Sequence, residues 1–227
     1  MIETANLTKI YNLGTPREVV AARDVSINIE DGAIVVLRGP SGCGKTTVLS
    51  TIGLILTPTR GQIFIDGEDI TAYSDHWKSL YRRKNMGFIF QHINLLPNYT
   101  ALENVLIPLL CRDEEVSHYR DRALQLFEKL KVVRRANNLV EQLSGGEQQR
   151  VAFVRALMSN PHIVLADEPT VFVDEETSEI MKGMFIELGE EGKSVVIATH
   201  DPELIQIAKK VYLMSGGTVV KKAGPQS

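Results

Sequence analysis

The sequence predicts an α/β fold, in which a parallel β-sheet core carries an antiparallel β-layer and an inserted helical segment. Residues 33–37, 163–166 and 195–199 are short apolar runs rich in β-branched residues, as buried parallel strands are. Residues 2–30 instead read as antiparallel strands separated by turns. The pattern changes over residues 92–159, and within them residues 119–130 space their apolar side chains as a helix does. We therefore predict a helical segment inserted into the core.

Composition narrows the class of protein. A chain of 227 residues with 44% hydrophobic and 23% charged residues suits one large domain, or a domain with a subdomain. A net charge of -3 argues against a broad basic surface, so no nucleic-acid partner is predicted. No apolar run approaches about 18 residues and no secretory leader is visible. Cys43 and Cys111 lie far apart, so we expect free thiols in a reducing cytoplasm.

Residues 39–46 read Gly-Pro-Ser-Gly-Cys-Gly-Lys-Thr and fit the phosphate-loop pattern without a mismatch. The glycines let backbone N–H groups converge on an anion, and the helix predicted over residues 46–52 adds the positive end of its dipole. In such a loop Lys45 reaches the β- and γ-phosphates, and the Thr46 hydroxyl ligates Mg²⁺. A strand before the loop and a helix after it argue against a chance glycine-rich turn.

The segments on either side contain two candidate residues whose roles stay open from the residues alone. Tyr11 precedes a turn over residues 12–16 and either stacks on a base or is a half-buried strand residue. Gln91 follows an apolar strand predicted over residues 86–90, and it could ligate Mg²⁺ or orient a water. Between them we predict a strand that ends in an Asp-Gly turn at residues 66–67, and a helix capped by Ser74.

Residues 143–150 read Leu-Ser-Gly-Gly-Glu-Gln-Gln-Arg and predict a second helix N-terminus suited to an anion. Ser144 is a good N-cap, and Glu147 stands three residues later, which is capping-box spacing. The glycine pair permits close backbone approach. An ordinary capped helix is the alternative, and the phosphate loop already supplies one cradle, so a second one needs another explanation.

The strand predicted over residues 163–166 ends in two carboxylates. Asp167 suits the Walker B role of holding Mg²⁺, and Glu168 is placed to point at an attacking water. His200 follows the strand over residues 195–199, at the sheet edge where ligands bind in open α/β folds. A helix from Asp174 and a closing hairpin around residues 215–217 complete the predicted elements.

Taken in order, these features resemble the nucleotide-binding subunit of an ATP-binding cassette (ABC) transporter over essentially the whole chain. Many nucleotide hydrolases share the phosphate loop, whereas residues 143–150, here called the signature segment, are highly specific for this family. The resemblance implies a P-loop NTPase fold. Its RecA-like core and antiparallel β-subdomain would span residues 1–91 and 160–227, and its α-helical subdomain residues 92–159.

The resemblance implies ATP and Mg²⁺ as ligands and assigns roles residue by residue. The catalytic residues that it implies are Lys45, Gln91, Glu168 and His200. The Mg²⁺ ligands that it implies are Thr46, Gln91 and Asp167. The nucleotide contacts that it implies are Tyr11 on the adenine, then Gly39, Pro40, Ser41, Gly42, Cys43, Gly44, Lys45, Thr46 and Thr47 in the loop, then Ser144, Gly145, Gly146, Glu147 and Asp174.

The resemblance also explains why the signature segment would form a second anion site, since its anion would be bound to a partner copy of the chain. In this family two chains pair head-to-tail about a two-fold axis, and each signature segment caps the ATP of the other chain. One departure stands out, because this family usually has small residues and a Leu before Asp174, whereas residues 171–173 read Val-Phe-Val. We expect these bulky residues to alter closure of the dimer or to slow turnover.

Within this family the chain resembles the ATP-binding subunits of lipoprotein-release, macrolide-export and glycolipid-export systems. The short segments that carry this resemblance are residues 40–43, 87–91, 94–97 and 101–105. This implies that the chain powers a separate membrane permease from the cytoplasmic face, and that it exports or extracts a lipophilic substrate. Residues 95–97 are the predicted surface for that permease.

Two related functions remain open, and two others are disfavoured. Importer ATPases share several of these cues, and a close relative drives a membrane regulator of cell division without transport. A soluble cassette acting on DNA or ribosomes would usually show two cassettes or a long coiled-coil insertion, and neither is present. A P-loop nucleotide kinase would leave the signature segment unexplained.

Overall fold

The computed structural model describes residues 1–110, 118–171 and 173–224. The strands are β1 Ile2–Tyr11, β2 Val19–Val25, β3 Asn28–Ile29, β4 Ile34–Arg38, β5 Arg60–Ile65, β6 Glu68–Asp69, β7 Met86–Ile89, β8 Ile163–Asp167, β9 Ser194–Ala198, β10 Lys210–Ser215 and β11 Thr218–Ala223. The α-helices are α1 Lys45–Ile52, α2 Asp75–Asn85, α3 Ala101–Leu106, α4 His118–Lys129, α5 Gly145–Leu157, α6 Glu175–Glu190 and α7 Pro202–Gln206. Short 3-10 turns lie at Ile107–Leu109, Val133–Arg135 and Val140–Gln142.

The core sheet has the strand order β11-β10-β4-β9-β8-β7 in the described part of the chain. From β10 to β7 every pairing is parallel, and β11 closes the sheet as an antiparallel hairpin. Every residue of β8 and β9 is buried, because helices or the second sheet cover both faces. The predicted α/β class is confirmed. The three apolar runs form neighbouring strands, so their carboxyl ends share one edge.

The second sheet is antiparallel and has the order β2-β1-β5-β6, with β3 also paired to β1. The predicted antiparallel layer is present. The pairing of β1 with β2 is irregular, with register shifts between Leu7 and Lys9 and between Lys9 and Ile10. Asp66 and Gly67 both have positive φ, of 52° and 82°, which gives the tight turn that the Asp-Gly pair predicts.

Two buried clusters lie on opposite faces of the core sheet. One joins the sheet to α1 and to the antiparallel layer, and the other joins it to α3, α4, α5 and α6. Val35 belongs to the first cluster and Val36 to the second, as alternation along a strand requires. The second cluster is continuous between the core sheet and the helices of the inserted segment.

The inserted segment is helical, as predicted. In this segment α3 is followed by a 3-10 turn, because Pro108 lacks the N–H that a longer helix needs. Cys111 lies outside the described residues. No helix within the described ranges has the length and apolarity needed to cross a membrane.

The close packing of α5 against β7 leaves no room for a side chain at Gly87, which can be tested by substitution. A Cβ on Gly87 would lie 2.3 Å from the carbonyl oxygen of Ala156, which is fixed backbone. We expect Gly87→Ala to lower the free energy of unfolding by about 1–3 kcal/mol, measured by chemical denaturation. The matched control is Gly183→Ala in α6, where nothing lies within 4 Å. That change should raise the free energy of unfolding by about 0.5–1 kcal/mol. Equal stabilities for the two variants would contradict the packing argument.

Candidate functional site

The phosphate loop connects β4 to α1 and is pressed between neighbouring backbone segments. Gly42 and Gly44 have φ of 77° and 99°, which residues with a Cβ rarely adopt. A Cβ on Gly39 would lie 2.4 Å from the carbonyl oxygen of Met214, and one on Gly44 would lie 2.1 Å from that of Ala21. The glycines are therefore needed both for backbone conformation and for close approach.

Lys45 is the first residue of α1, and its ammonium group is held at the centre of this loop. The side chain is nearly buried, and its Nζ donates to the carbonyl oxygens of Gly39 at 2.8 Å and Pro40 at 3.3 Å. The same Nζ lies 3.4 Å from Oε1 of Glu168. A buried cation thus links the phosphate loop to the end of β8.

The other predicted loop residues differ in exposure. Pro40, Ser41, Gly42 and Thr46 are exposed, whereas Thr47 is half-buried. Cys43 is a free thiol, 5% exposed, and its carbonyl accepts from the N–H of Gly217 at 3.1 Å. This burial suits the small residue that the loop needs at that position.

Asp167 ends β8 and faces the start of α1. The residue is 6% exposed, and its buried Oδ1 has no hydrogen-bond partner among the described residues. Burial raises the pKa of Asp167 and the negative charge of Glu168 adds to the increase, while the Thr46 hydroxyl and Lys45 oppose it. An orphaned carboxylate oxygen beside a hydroxyl is a donor set that fits Mg²⁺, which prefers oxygen ligands.

Glu168 follows in a left-handed backbone conformation, with φ of 43°. Its N–H donates to the carbonyl oxygen of Ala198 at 2.8 Å. Its Oε2 accepts from the Thr199 hydroxyl at 3.2 Å and lies 3.0 Å from Nδ1 of His200. The structure therefore brings together Lys45, Glu168 and His200, from the ends of three adjacent parallel strands.

Thr199 is a site residue that the sequence reasoning missed. Its side chain is fully buried, and its Oγ1 also accepts from the N–H of Asp201 at 3.0 Å. The sequence predicts it only as the last residue of the strand over residues 195–199. A hydroxyl directly before His200 at the ligand-binding edge of the sheet was the available signal.

Two predicted residues lie at the margin of this cluster. Gln91 is exposed, two residues after the end of β7, which is the neighbour of β8 in the sheet. Tyr11 ends β1 opposite Val19 of β2, and it is 37% exposed. The Lys9 ammonium lies 5.5 Å from the centre of its ring. Among the described residues, no hydrogen bond joins Gln91 or Tyr11 to Lys45 or Glu168.

The signature segment forms the start of α5, with both halves of the expected capping box. The Ser144 Oγ accepts from the N–H of Glu147 at 3.2 Å, and Glu147 Oε2 accepts from the N–H of Ser144 at 2.8 Å. Burial raises the pKa of Glu147, but hydrogen bonds from Arg135 and from the Ser144 N–H outweigh it, and the net pKa is lowered. Ser144 and Gly145 are exposed, and in the described part of the chain no hydrogen bond joins them to Lys45, Asp167 or Glu168.

The two glycines of the signature segment have different environments. A Cβ on Gly146 would lie 2.9 Å from both Asp174 Oδ2 and Thr177 Oγ1, whereas one on Gly145 would meet nothing within 4 Å. Within this chain, close approach is thus needed at Gly146 and not at Gly145. Asp174 is the N-cap of α6 and accepts from the N–H of Thr177 at 2.7 Å. Phe172 of the unusual 171–173 stretch lies outside the described residues.

A phosphate loop, paired carboxylates and a histidine at the carboxyl edge of a parallel sheet define a P-loop nucleotide hydrolase. Comparison with known proteins then identifies the family. The ABC transporter family matches residues 22–171. The chain belongs to this family as an ATP-binding subunit, and its reaction is the hydrolysis of ATP.

Three relatives extend the comparison. An uncharacterized ABC transporter ATP-binding protein of Methanocaldococcus jannaschii, MJ0796, is 40% identical over 98% of this chain and 96% of its own length. The lipoprotein-releasing system ATP-binding protein LolD of Cereibacter sphaeroides is 40% identical over 97% of this chain and 99% of its own. The macrolide export ATP-binding/permease protein MacB of Syntrophobacter fumaroxidans is 37% identical over 99% of this chain and 32% of its own length.

Solved structures of MJ0796 share the fold over the full length of both chains. A dimeric structure of this cassette has a TM-score of 0.93 and 38% identity to this chain. A dimer in a post-hydrolysis state, bound to ADP and phosphate, has a TM-score of 0.90 and 37% identity.

The raised pKa of Asp167 predicts a pH-dependent gain in stability for Asp167→Asn in the absence of Mg²⁺ and nucleotide. The unfolded carboxyl ionises near 3.8, whereas the folded one keeps its proton to higher pH. Ionisation therefore disfavours the folded state as pH rises through this interval. We expect the variant to be more stable than the natural protein at pH 7 and indistinguishable from it below the unfolded pKa. Thermal unfolding across pH measures this. A lower melting temperature for the variant at pH 7 would refute the argument.

Proposed function

We propose that this chain is the motor subunit of a membrane transport system, working as a head-to-tail dimer at the cytoplasmic face and driving a separate permease. The observation that carries the proposal is the convergence of Lys45, Asp167, Glu168 and His200 at one sheet edge. A capped helix N-terminus at Ser144, exposed elsewhere on the chain, supports the dimer.

The chemistry follows from the positions of these side chains. Lys45 and the N–H groups of the phosphate loop would bind the β- and γ-phosphates and stabilise charge on the transferring phosphoryl group. Asp167 and Thr46, with Gln91, would hold Mg²⁺, which neutralises phosphate charge when bound. Glu168 would orient and polarise the attacking water.

Two further contacts complete the proposed nucleotide site. His200 would hold the geometry of the γ-phosphate. Its present contact with Glu168 keeps the imidazole beside the carboxylate. Tyr11 would stack on adenine, since its ring is exposed at the end of β1 and β2 touches the phosphate loop through Ala21.

The dimer accounts for the signature segment. Ser144 and Gly145 are exposed at a helix N-terminus, where backbone N–H groups and the helix dipole favour an anion. We propose that this anion is the triphosphate bound by the partner copy, with Gly146 and Glu147 shaping the turn and Asp174 at the interface. The dimeric structures of the relative MJ0796 support this assembly.

The domain division proposed for this motor places the core and β-subdomain in residues 1–91 and 160–227, and the helical subdomain in 92–159. The continuous buried cluster shared by α5 and the core sheet implies that α5 communicates between them.

For the permease we propose a docking groove of about 520 Å³ between α2, β7 and the 3-10 turn of the inserted segment. We call it the arginine groove, and its charged and larger apolar lining residues are Arg82, Arg83, Met86, Phe88, Phe90, Ile107, Pro108 and Arg155. Its lining combines arginine side chains with aromatic and aliphatic ones, so an amphipathic segment of the permease would complement it.

This groove revises the surface predicted from the sequence. Leu95 is half-buried against the core and so unsuited to docking, whereas Leu96 and Pro97 are exposed. Arg82 is held at the edge of this groove, because its Nη1 donates to the carbonyl oxygen of Leu54 at 2.6 Å. Asn104 fixes the neighbouring loop by hydrogen bonds to both the N–H and the C=O of Leu96.

The most specific part of the proposal is the identity of the transported substrate. We propose export or extraction of a lipophilic substrate, which is supported by the relatives LolD and MacB, named for lipoprotein release and macrolide export. Reconstitution of this chain with its proposed permease in vesicles, with labelled lipoprotein or drug as the cargo, tests this choice.

Replacement of the proposed catalytic carboxylate separates binding from chemistry. Glu168→Gln should lower the ATPase rate by about 10²–10⁴-fold, the range for loss of general-base help, while ATP still binds. The variant should then accumulate as an ATP-bound dimer, seen by light scattering after size-exclusion chromatography. The control is Glu128→Gln on the exposed face of α4, which should hydrolyse ATP normally. Wild-type turnover by Glu168→Gln would contradict the mechanism.

The arginine groove is tested by co-expressing this chain with its proposed permease. Phe90, whose ring stacks on Phe88 at 5.5 Å, is 36% exposed in the groove. Phe90→Ala should weaken co-purification with that permease by about fivefold or more, as loss of a central aromatic contact does. Val220→Ala removes an exposed apolar side chain on β11 and should leave assembly intact. If both variants retain the permease equally, the docking surface lies elsewhere.

A further inference from the structure

The turn that carries Glu168 is held from several sides. We call residues 168–171 the carboxylate turn. Glu168 itself has φ of 43°, which is unfavourable for a residue with a side chain and persists only where the surroundings fix it. The Glu168 carbonyl accepts from the N–H of Val171 at 3.2 Å, and the Thr170 hydroxyl donates to Asp201 at 2.7 Å. The direction of the Glu168 carboxylate therefore depends on the neighbours of this turn.

One of those neighbours is a buried amide from the helix of the signature segment. Gln149 is 3% exposed, and its Nε2 donates to the carbonyl oxygen of Pro169 at 3.0 Å. Pro169 is buried and has no N–H, so this carbonyl is its sole backbone hydrogen-bonding group. Without the amide, a buried acceptor directly after Glu168 would lose its partner.

The same helix also fixes the chain downstream of the turn. Arg150 Nη1 donates to the Thr177 hydroxyl at 2.6 Å, and Gly146 leaves no room for a Cβ beside Asp174. The first two turns of α5 therefore contact both ends of the segment between β8 and α6. A small shift of α5 cannot leave the carboxylate turn unmoved.

We propose that Gln149 is a positioning residue for ATP hydrolysis, which orients Glu168 through the carbonyl of Pro169. This inference rests on the roles proposed above for Glu168 and Ser144. Its consequence is communication between the two nucleotide sites of the dimer. The nucleotide bound by the partner contacts Ser144 at the N-terminus of α5. Five residues after Ser144, Gln149 orients the Glu168 carboxylate of the chain's own nucleotide site.

The test begins with Gln149→Leu, which removes the donor and keeps a similar shape. We expect kcat to fall about tenfold or more, as small misplacements of catalytic groups do, while the Kd for ATP stays within about twofold. A purely structural role would lower the melting temperature and leave kcat per folded molecule unchanged, and that result would overturn the proposal.

A pH profile provides the second readout. In Gln149→Glu the new carboxyl can donate to the Pro169 carbonyl only when protonated, and burial favours its protonated form. The kcat of this variant relative to the natural protein should therefore recover as pH falls. A constant ratio across pH, with both proteins folded, would contradict the proposed hydrogen bond.

The control and a background variant separate this inference from the proposed function. Gln125 is an exposed amide on α4, outside the nucleotide site. Gln125→Leu makes the same substitution there and should keep kcat within about threefold, and an equal loss in both variants would contradict a specific role for Gln149. If Glu168→Gln retains turnover, the proposed function fails. If Glu168→Gln is inactive while Gln149→Leu is fully active, only the positioning role fails.

Discussion

Parallel pairing of β4, β9 and β8 is the constraint on which the site depends. In this register Leu37 lies opposite Ala198, and Ala198 lies opposite Asp167, so the three strands end level with one another. The residues that follow are the phosphate loop, Thr199 with His200, and Glu168. Their side chains meet because the strands are in register, and a slip of one residue would turn each strand's side chains to the other face.

The charges gathered at this edge do not balance within the chain. Lys45 is one cation facing the two carboxylates Asp167 and Glu168, and all three are largely buried. Burial disfavours the ionised carboxylate and the charge of Glu168 adds to this effect, so the pKa of Asp167 is raised. The site therefore favours binding of an added cation. The surrounding buried core holds the two carboxylates in place, although their burial is unfavourable.

Local signals made most of the fold and much of the site predictable. The phosphate loop, the Ser74 and Ser144 caps and the Asp-Gly turn depend on residues within a few positions of one another, so their patterns can be read directly from the sequence. Thr199 and Gln149 were missed because their partners, Glu168 and Pro169, are distant in the chain. Leu95 was expected to be exposed, since an apolar loop residue gives no sign of the core that covers it. The conformation of Glu168 likewise depends on distant contacts, since its N–H donates to Ala198 of β9 and Gln149 of α5 holds the carbonyl of the next residue, Pro169.

The two helix N-termini are built differently, and the difference bears on how they would share one nucleotide. At α1 the N-cap is Gly44, which has no side chain to satisfy the first N–H groups, so these donors are available to a ligand. At α5 the Ser144 oxygen already accepts from Glu147, and only its hydroxyl proton and the first glycine N–H groups can add to an anion. The phosphate loop is thus the stronger anion site, and the signature segment is a weaker one that gains from a phosphate already held in place. Nucleotide would bind one chain first and recruit the second, which makes closure of the dimer depend on the triphosphate.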